Sequence, residues 1–343
     1  MSYKRIVLAT DGSPSAETAE HVGVTLARSV KGKLAIAHAY EHPDRVEAAV
    51  ARALRIAGRE GVKAEVIASG DPPDRAIVEI ADQQEAELLV MGSRGFYKAE
   101  QVIGNVARKV ATHAPCDVLL TRERAEEDRP HGAIPYRQIM IATDGSATAD
   151  RAARKGYALA KRLEATVTLC FVGHPKTGEL VLQDTVASIG DPEVTSHTVI
   201  REGGSDPADE ILAAAVKEGS DLVIVGNKGL TGAKAMILGS VPRKVAEFSP
   251  IDVLIARTVT QSLSEIAKGE GGIVTSGDAK IAVYRDKKGN VVSLSARCTH
   301  MGCTVKWNPA ENTWDCPCHG SRYAPTGEVV QGPAAKPLEK TDL

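Results

Sequence analysis

The chain has 343 residues, 43% hydrophobic and 25% charged, with a formal charge of −2 and six cysteines. That length predicts two or three domains, and the composition excludes a disordered or fibrous protein. The small charge excludes a broad electrostatic pull toward nucleic acid or anionic lipid, and no apolar run approaches the roughly 20 residues of a membrane helix.

The opening residues, MSYKRIVLATDGS, pass straight into a strand pattern without a signal-peptide core, which predicts a cytosolic protein. Five apolar runs then read as strands: RIVLAT (5–10), KLAIAHAY (33–40), KAEVIAS (63–69), ELLVMG (87–92) and DVLLTR (117–122). Amphipathic helices fall between them at 15–30, 45–60, 74–84 and 105–113. Continuous apolar strands alternating with helices predict an α/β fold, a parallel sheet covered on both faces.

The pattern then repeats. RIVLATDGS (5–13) returns as QIMIATDGS (138–146), ELLVMGSRG (87–95) as DLVIVGNKG (221–229), and CDVLLTR (116–122) as IDVLIAR (251–257). Three matched blocks in one order imply a duplicated domain. The charged, proline-containing RERAEEDRPHGAIP (122–135) reads as the connection. In the second copy GHPKTGELVLQDTVASIGDPEV (173–194) is expected to hold only a short, broken helix, because glycine and proline interrupt it. Beyond about residue 260 the helical period ends. KIAVYRD, KKGN and VVSLSAR (280–297) read as strand, turn and strand in a small all-β module.

Ligands of open α/β sheets bind at the carboxyl ends of the strands. Asp11 and Asp144 follow the first strand of each copy, and glycine loops follow the fourth. In GNKGLTGAKAMILGS (226–240), Gly226 and Gly229 precede Gly239-Ser240, which opens the helix VPRKVAEF. Glycines admit a close backbone approach, and the amides of Ser240, Val241 and the helix start suit a phosphate. The plain alternative is that the aspartates cap helices and the glycines serve tight turns.

Both copies resemble universal stress protein domains, over 1–125 and 134–260 with a linker at 126–133. Nucleotide-binding members of that family carry G-x2-G-x9-G-[S/T]. The resemblance implies two tandem parallel-sheet, adenine nucleotide alpha hydrolase-like domains that pair through their last strands as an internal pseudo-dimer, with higher assembly open. It also implies ATP on Gly226, Gly229, Gly239 and Ser240, with Asp144 and Val172 beside the ribose and adenine. In the first copy eight residues, not nine, separate Gly95 from Gly104, and Asn105 replaces the hydroxyl residue. The missing residue is expected to shift the helix start relative to Gly92 and Gly95 and so weaken nucleotide binding there. Neither copy carries GKS or GKT in a phosphate loop, so ATP turnover is not expected.

In CTHMGC (298–303) Cys298 and His300 stand two apart; in CPCHGSRY (316–323) Cys316 and His319 stand three apart. Such donors suggest zinc or an iron–sulfur cluster. A c-type haem needs two residues between its cysteines, and CPCH has one. One thiolate and one imidazole per loop fit a [2Fe–2S] cluster with one iron on Cys298 and Cys316 and the other on His300 and His319. A zinc-stabilised β module is the alternative.

Residues 264–343 resemble a Rieske domain, through C-x-H-x2-C followed by C-P-C-H-G-S-x-Y. The resemblance implies a Cys303–Cys318 disulfide tying the two loops, which on the chain-entropy argument stabilises by roughly 3 kcal/mol. It implies that Ser321 and Tyr323 hydrogen-bond a cluster sulfide and a cysteine sulfur, favouring the reduced state. The expected potential lies in the upper half of about −150 to +300 mV. His300 and His319 are expected to face solvent and couple proton uptake to reduction, and GPAAKPL (332–338) to form a lid. Trp307 and Trp314 read as core.

The whole reads as a one-electron carrier on ATP-binding domains with an unnamed redox partner protein, and not as an oxygenase, which would need a further mononuclear iron domain. The alternative is a nucleotide-binding stress-response protein whose cluster senses redox poise without sustained electron flow.

Overall fold

The computed structural model describes residues 3–94, 103–123, 135–227, 238–257, 263, 266–276, 279–316 and 319–342. The linker expected at 126–133 lies outside them. The chain forms two compact units, 1–257 and 258–343. No described helix is long and apolar enough to cross a membrane.

In the first unit, β1 (Arg5–Ala9), β2 (Lys33–Ala39), β3 (Ala64–Ser69), β4 (Leu88–Gly92) and β5 (Asp117–Thr121) alternate with α1 (Glu17–Val30), α2 (Val46–Arg59), α3 (Pro73–Gln83) and α4 (Asn105–His113). The second copy repeats this as β6 (Gln138–Ala142), α5 (Ala147–Leu163), β7 (Thr166–Val172), α6 (Pro175–Ile189), β8 (Ser196–Arg201), α7 (Pro207–Lys217), β9 (Leu222–Gly226), α8 (Ser240–Phe248) and β10 (Asp252–Ala256). Pairing within each copy is parallel, and both copies join in one ten-stranded sheet of order β3-β2-β1-β4-β5-β10-β9-β6-β7-β8.

The join is made by the two last strands. β5 and β10 run antiparallel with Leu120 opposite Val253 and Val118 opposite Ile255. Their inner residues are buried on both faces, as covered strands require. Each face of the sheet carries a core that crosses the join: Ile6, Leu8 and Leu119 share one with Ile139, Ile141 and Leu254, while Val7, Leu89 and Leu120 share the other with Met140, Val223 and Val253. The first strand of each copy meets its fourth, so the chain reverses direction across the sheet at β1/β4 and at β6/β9. Crevices at such reversals, outside the carboxyl ends of the strands, are where open sheets hold ligands.

The broken helix expected at 173–194 is instead continuous over 15 residues, α6. Pro175 sits at its first turn, where a missing amide costs nothing. Gly178 carries a helix-interior cost of about 1 kcal/mol against alanine, yet a Cβ there would lie 2.8 Å from the Phe171 ring. The glycine lets the helix sit down on β7.

In the second unit, β11 (Glu270–Ser276), β12 (Ala279–Arg285) and β13 (Val291–Ser295) form an antiparallel sheet, and β14 (Lys306–Asn308), β15 (Thr313–Asp315), β16 (Arg322–Tyr323) and β17 (Val329–Gln331) form another. The turn at 286–290 is held by Asp286 Oδ1, which accepts from the amides of Gly289 (2.6 Å) and Asn290 (2.8 Å). β11 is not among the strands expected from sequence, and a glycine pair interrupts its β-branched segment EGGIVTS. A Cβ on Gly271 would stand 2.5 Å from the Trp307 ring, so the indole takes the space a side chain would fill. Trp307 and Trp314 pack edge to face at 5.0 Å within the core of this unit.

Candidate metal centre and nucleotide site

Two loops of the second unit are built alike. In the first, the Cys298 amide donates to Cys303 O (2.8 Å) and the Gly302 amide to Cys298 O (2.8 Å). In the second, the Cys316 amide donates to Ser321 O (2.7 Å) and the Gly320 amide to Cys316 O (3.1 Å). Both loops therefore close over six residues, with glycine at the fifth position in the left-handed region, φ 80° at Gly302 and 73° at Gly320. A glycine four residues after each ligand-type cysteine was a legible signal for this.

The loops bring the expected donors together in two pairs. Cys298 and Cys316 are buried and not disulfide-bonded, whereas His300 and His319 are exposed, with ring centroids 5.0 Å apart. Cys303 is buried and disulfide-bonded. Its expected partner, Cys318, lies outside the described residues.

Beneath the sulfurs, Tyr323 Oη lies 3.1 Å from Cys298 Sγ and accepts from the Thr299 amide at 3.1 Å. Burial alone would raise the Cys298 thiol, but hydrogen bonds from Tyr323, the His300 amide, Cys316 and Ser321 outweigh it and lower its pKa. Burial, then the bond to Cys298, raises the pKa of Tyr323. The GPAAKPL stretch closes over both loops. Ser321 Oγ accepts from the Ala334 amide (3.2 Å), and Thr299 Oγ1 donates to Lys336 O (2.6 Å). Thr299 carries no sequence signal of this role.

Among the described residues no three His, Cys, Asp or Glu side chains converge to hold a single metal ion. A buried thiol pair and an exposed imidazole pair fit a two-iron cluster, because each iron asks the protein for only two ligands.

In the first unit, β6 lies between β7 and β9, so the loop that carries Asp144 leaves the sheet between the strands that end at Val172 and Gly226. Asp144 does not cap α5. Its Oδ1 accepts from the Ser146 amide (3.0 Å) in a tight turn, and Ser146 Oγ caps the helix through the Ala149 amide (3.2 Å). Gly226 has a packing role: a Cβ there would lie 3.0 Å from Thr148 O. Gly239 precedes α8 with no side-chain cap on the helix, and Ser240 is exposed. Gly229 lies outside the described residues, as does Gly95.

The shifted helix start expected in the first copy is not found. The Gly104 amide donates to Ser93 O (2.7 Å) as the Gly239 amide does to Asn227 O (2.9 Å), so α4 and α8 begin at the same place on their strands. The copies differ in charge instead. Buried Glu20 accepts from Thr10 Oγ1 (2.6 Å) and Arg52 Nε (2.5 Å), and Arg52 Nη2 donates to Ser13 O (2.7 Å), strapping α2 onto the loop after β1. In the second copy, Ala153 occupies the Glu20 position of the repeat, and the carboxylates of Asp184 and Asp144 act on Asp150. Burial raises the pKa of Asp150, with Asp184 and Asp144 adding to the shift.

The family pattern described as "Universal stress protein family" matches residues 2–122 and 135–257. The chain belongs to the universal stress protein family. The pattern "Rieske [2Fe-2S] domain" matches residues 257–342, so two stress-protein domains are followed by a Rieske domain, whose cofactor is a [2Fe–2S] cluster. A Bacillus subtilis (strain 168) protein, YhfW, whose name assigns it provisionally to the Rieske 2Fe-2S iron-sulfur proteins, is 52% identical over 79 residues, 23% of this chain and 16% of that one. The cytochrome b6-f complex iron-sulfur subunit of Synechococcus sp. (strain JA-2-3B'a(2-13)) is 38% identical over 114 residues, 33% of this chain and 58% of its own. The chain thus spans less than two thirds of these relatives. A universal stress protein from Archaeoglobus fulgidus DSM 4304 shares the fold, with a TM-score of 0.61 and 21% identity over 75% of this chain and 99% of that one.

Proposed function

We propose that this universal stress protein is a one-electron carrier, with its Rieske cluster held by Cys298 and Cys316 on one iron and His300 and His319 on the other. When bound, the cluster supplies reversible one-electron chemistry at a potential set by its protein surroundings. The observation that carries the reading is the sorting of donors: two buried thiols beneath, two exposed imidazoles above, with Tyr323 Oη on the sulfur side. Buried thiols keep water from the sulfur-ligated iron. Exposed imidazoles give a partner protein its shortest approach. A Cys303–Cys318 disulfide would pin the two loops and keep the ligand pairs opposed.

The second stress-protein domain binds an adenine nucleotide at the β6/β9 crevice, with Asp144 and Val172 on the nucleoside side and Gly239, Ser240 and Val241 on the phosphates. The uncapped start of α8 supports this, since unpaired amides and the helix dipole favour an anion. In the first domain the Glu20–Arg52 strap holds α2 over the corresponding loop, so the same ligand binds weakly or not at all.

Rapid mixing of the protein, held with an excess of a chemical one-electron donor, with candidate one-electron acceptors, with and without ATP, tests the reading. A carrier reoxidises in many successive turnovers. A single slow oxidation by peroxide or oxygen alone would favour redox sensing over electron transfer.

A further inference from the structure

At the seam between the two stress-protein domains a pair of arginines crosses over. Arg122, just past β5, sends Nη2 to Ala246 O (2.6 Å), in the last turn of α8; Arg257, just past β10, sends Nη2 to Ala111 O, near the end of α4. Their backbone amides are exchanged in the same way. Arg122 N donates to Asp252 Oδ1 (2.7 Å) and Arg257 N to Asp117 Oδ1 (2.7 Å). Tyr136 and Tyr3 hydroxyls hold the second oxygen of each aspartate at 2.8 Å. Each domain thus grips the last helix of the other.

These grips are costly. The Nε of both arginines is buried without a partner among the described residues, and burial lowers both guanidinium pKa values to about 10, which still leaves them charged at neutral pH. A charged group in such a place needs compensation, and the carbonyl end of a helix dipole supplies part of it. A merely apolar seam would be filled more cheaply by aliphatic side chains.

The gripped helices start beside the carboxyl ends of β4 and β9, where the Gly104 and Gly239 amides donate to Ser93 O and Asn227 O, at the border of the strand-end crevices. α8 has nine residues, and at about 1.5 Å per residue such a helix is a rigid rod of roughly 13 Å. Fixing its carboxyl end fixes the amides of Ser240 and Val241 at the opposite end. We propose that Arg122 of the first domain is a positioning residue for the phosphate-binding end of α8, so that the nucleotide site of the second domain is completed across the duplication. This rests on the reading of the β6/β9 crevice as a nucleotide site.

The test uses the full chain and titration calorimetry with MgATP and with adenosine, on Arg122→Gln and on the mirror variant Arg257→Gln. Arg122→Gln is expected to weaken ATP binding about tenfold while adenosine, which does not reach α8, keeps its affinity within about twofold. Arg257→Gln leaves both ligands unchanged, and Arg122→Lys, which keeps the charge, retains most of the ATP affinity. Equal losses for ATP and adenosine, or equal effects of the two mirror variants, overturn the proposal. If the wild-type protein binds neither ligand, the nucleotide reading fails, and amide exchange decides the positioning role: Arg122→Gln accelerates exchange in α8 but not α4, and Arg257→Gln the reverse. Exchange that is unchanged or rises equally in both helices rules the grip out as a positioning device.

Discussion

The Tyr323 hydroxyl lies 3.1 Å from the Cys298 sulfur, and the side chain is wholly buried beneath the candidate metal-binding loops. A hydrogen bond to a ligand sulfur grows stronger as the sulfur gains charge, so it favours the reduced state. Tyr323→Phe keeps the ring in its core position and removes the hydroxyl's contacts to Cys298 and Thr299. It should lower the midpoint potential by roughly 50 mV, close to a tenfold change in a one-electron equilibrium. Ser321→Ala should shift it the same way. A redox titration of each variant against wild type checks both.

Gly332 shows how tightly the lid is drawn. Its φ is 102°, and a Cβ there would stand 2.5 Å from Ser321 Cα. Gly332→Ala therefore meets both a disfavoured backbone region and an immovable neighbour, at a cost of about 2 kcal/mol or more. In a thermal scan the Rieske unit should unfold earlier while the transition of the stress-protein unit stays in place.

The Glu20–Arg52 strap makes a sharper prediction for the first domain. Glu20 is fully buried and Arg52 is its partner. Arg52→Met strands a buried carboxylate and should destabilise that unit by about 3 kcal/mol. Adding Glu20→Leu should restore most of the loss, because an apolar pair replaces the ionic one. Urea unfolding of the single and double variants measures the difference.

Tyr3 predicts an alkaline effect. Burial first, and then Asp117, push its phenol pKa well above 10. Its contribution is fully present below the unfolded value, near 10, and is lost as pH rises from there toward the raised folded value, since the unfolded chain releases the proton more readily. Tyr3→Phe should lower stability at pH 8 by about 1.5 kcal/mol and flatten the decline above about pH 10. Denaturant midpoints from pH 8 to 11 test the sign.

The sequence carried the fold a long way because its signals were local. Apolar runs located the five strands of the first copy, and matched blocks revealed the duplication. Gly178 suggested a broken helix because its reason is a distant aromatic, the Phe171 ring that only the fold brings against α6. The four candidate metal donors stood out in the sequence because their spacing is confined to two short loops. The Glu20–Arg52 strap and the crossed arginines were not, because each joins residues that only the folded sheet brings together.

The most direct test of the account is the midpoint potential of the purified protein, measured alongside its iron and acid-labile sulfide content. Two thiolates and two imidazoles predict a [2Fe–2S] centre titrating in the upper half of about −150 to +300 mV. A potential near the roughly −400 mV of a four-thiolate ferredoxin, or protein that holds zinc and no sulfide, would contradict it.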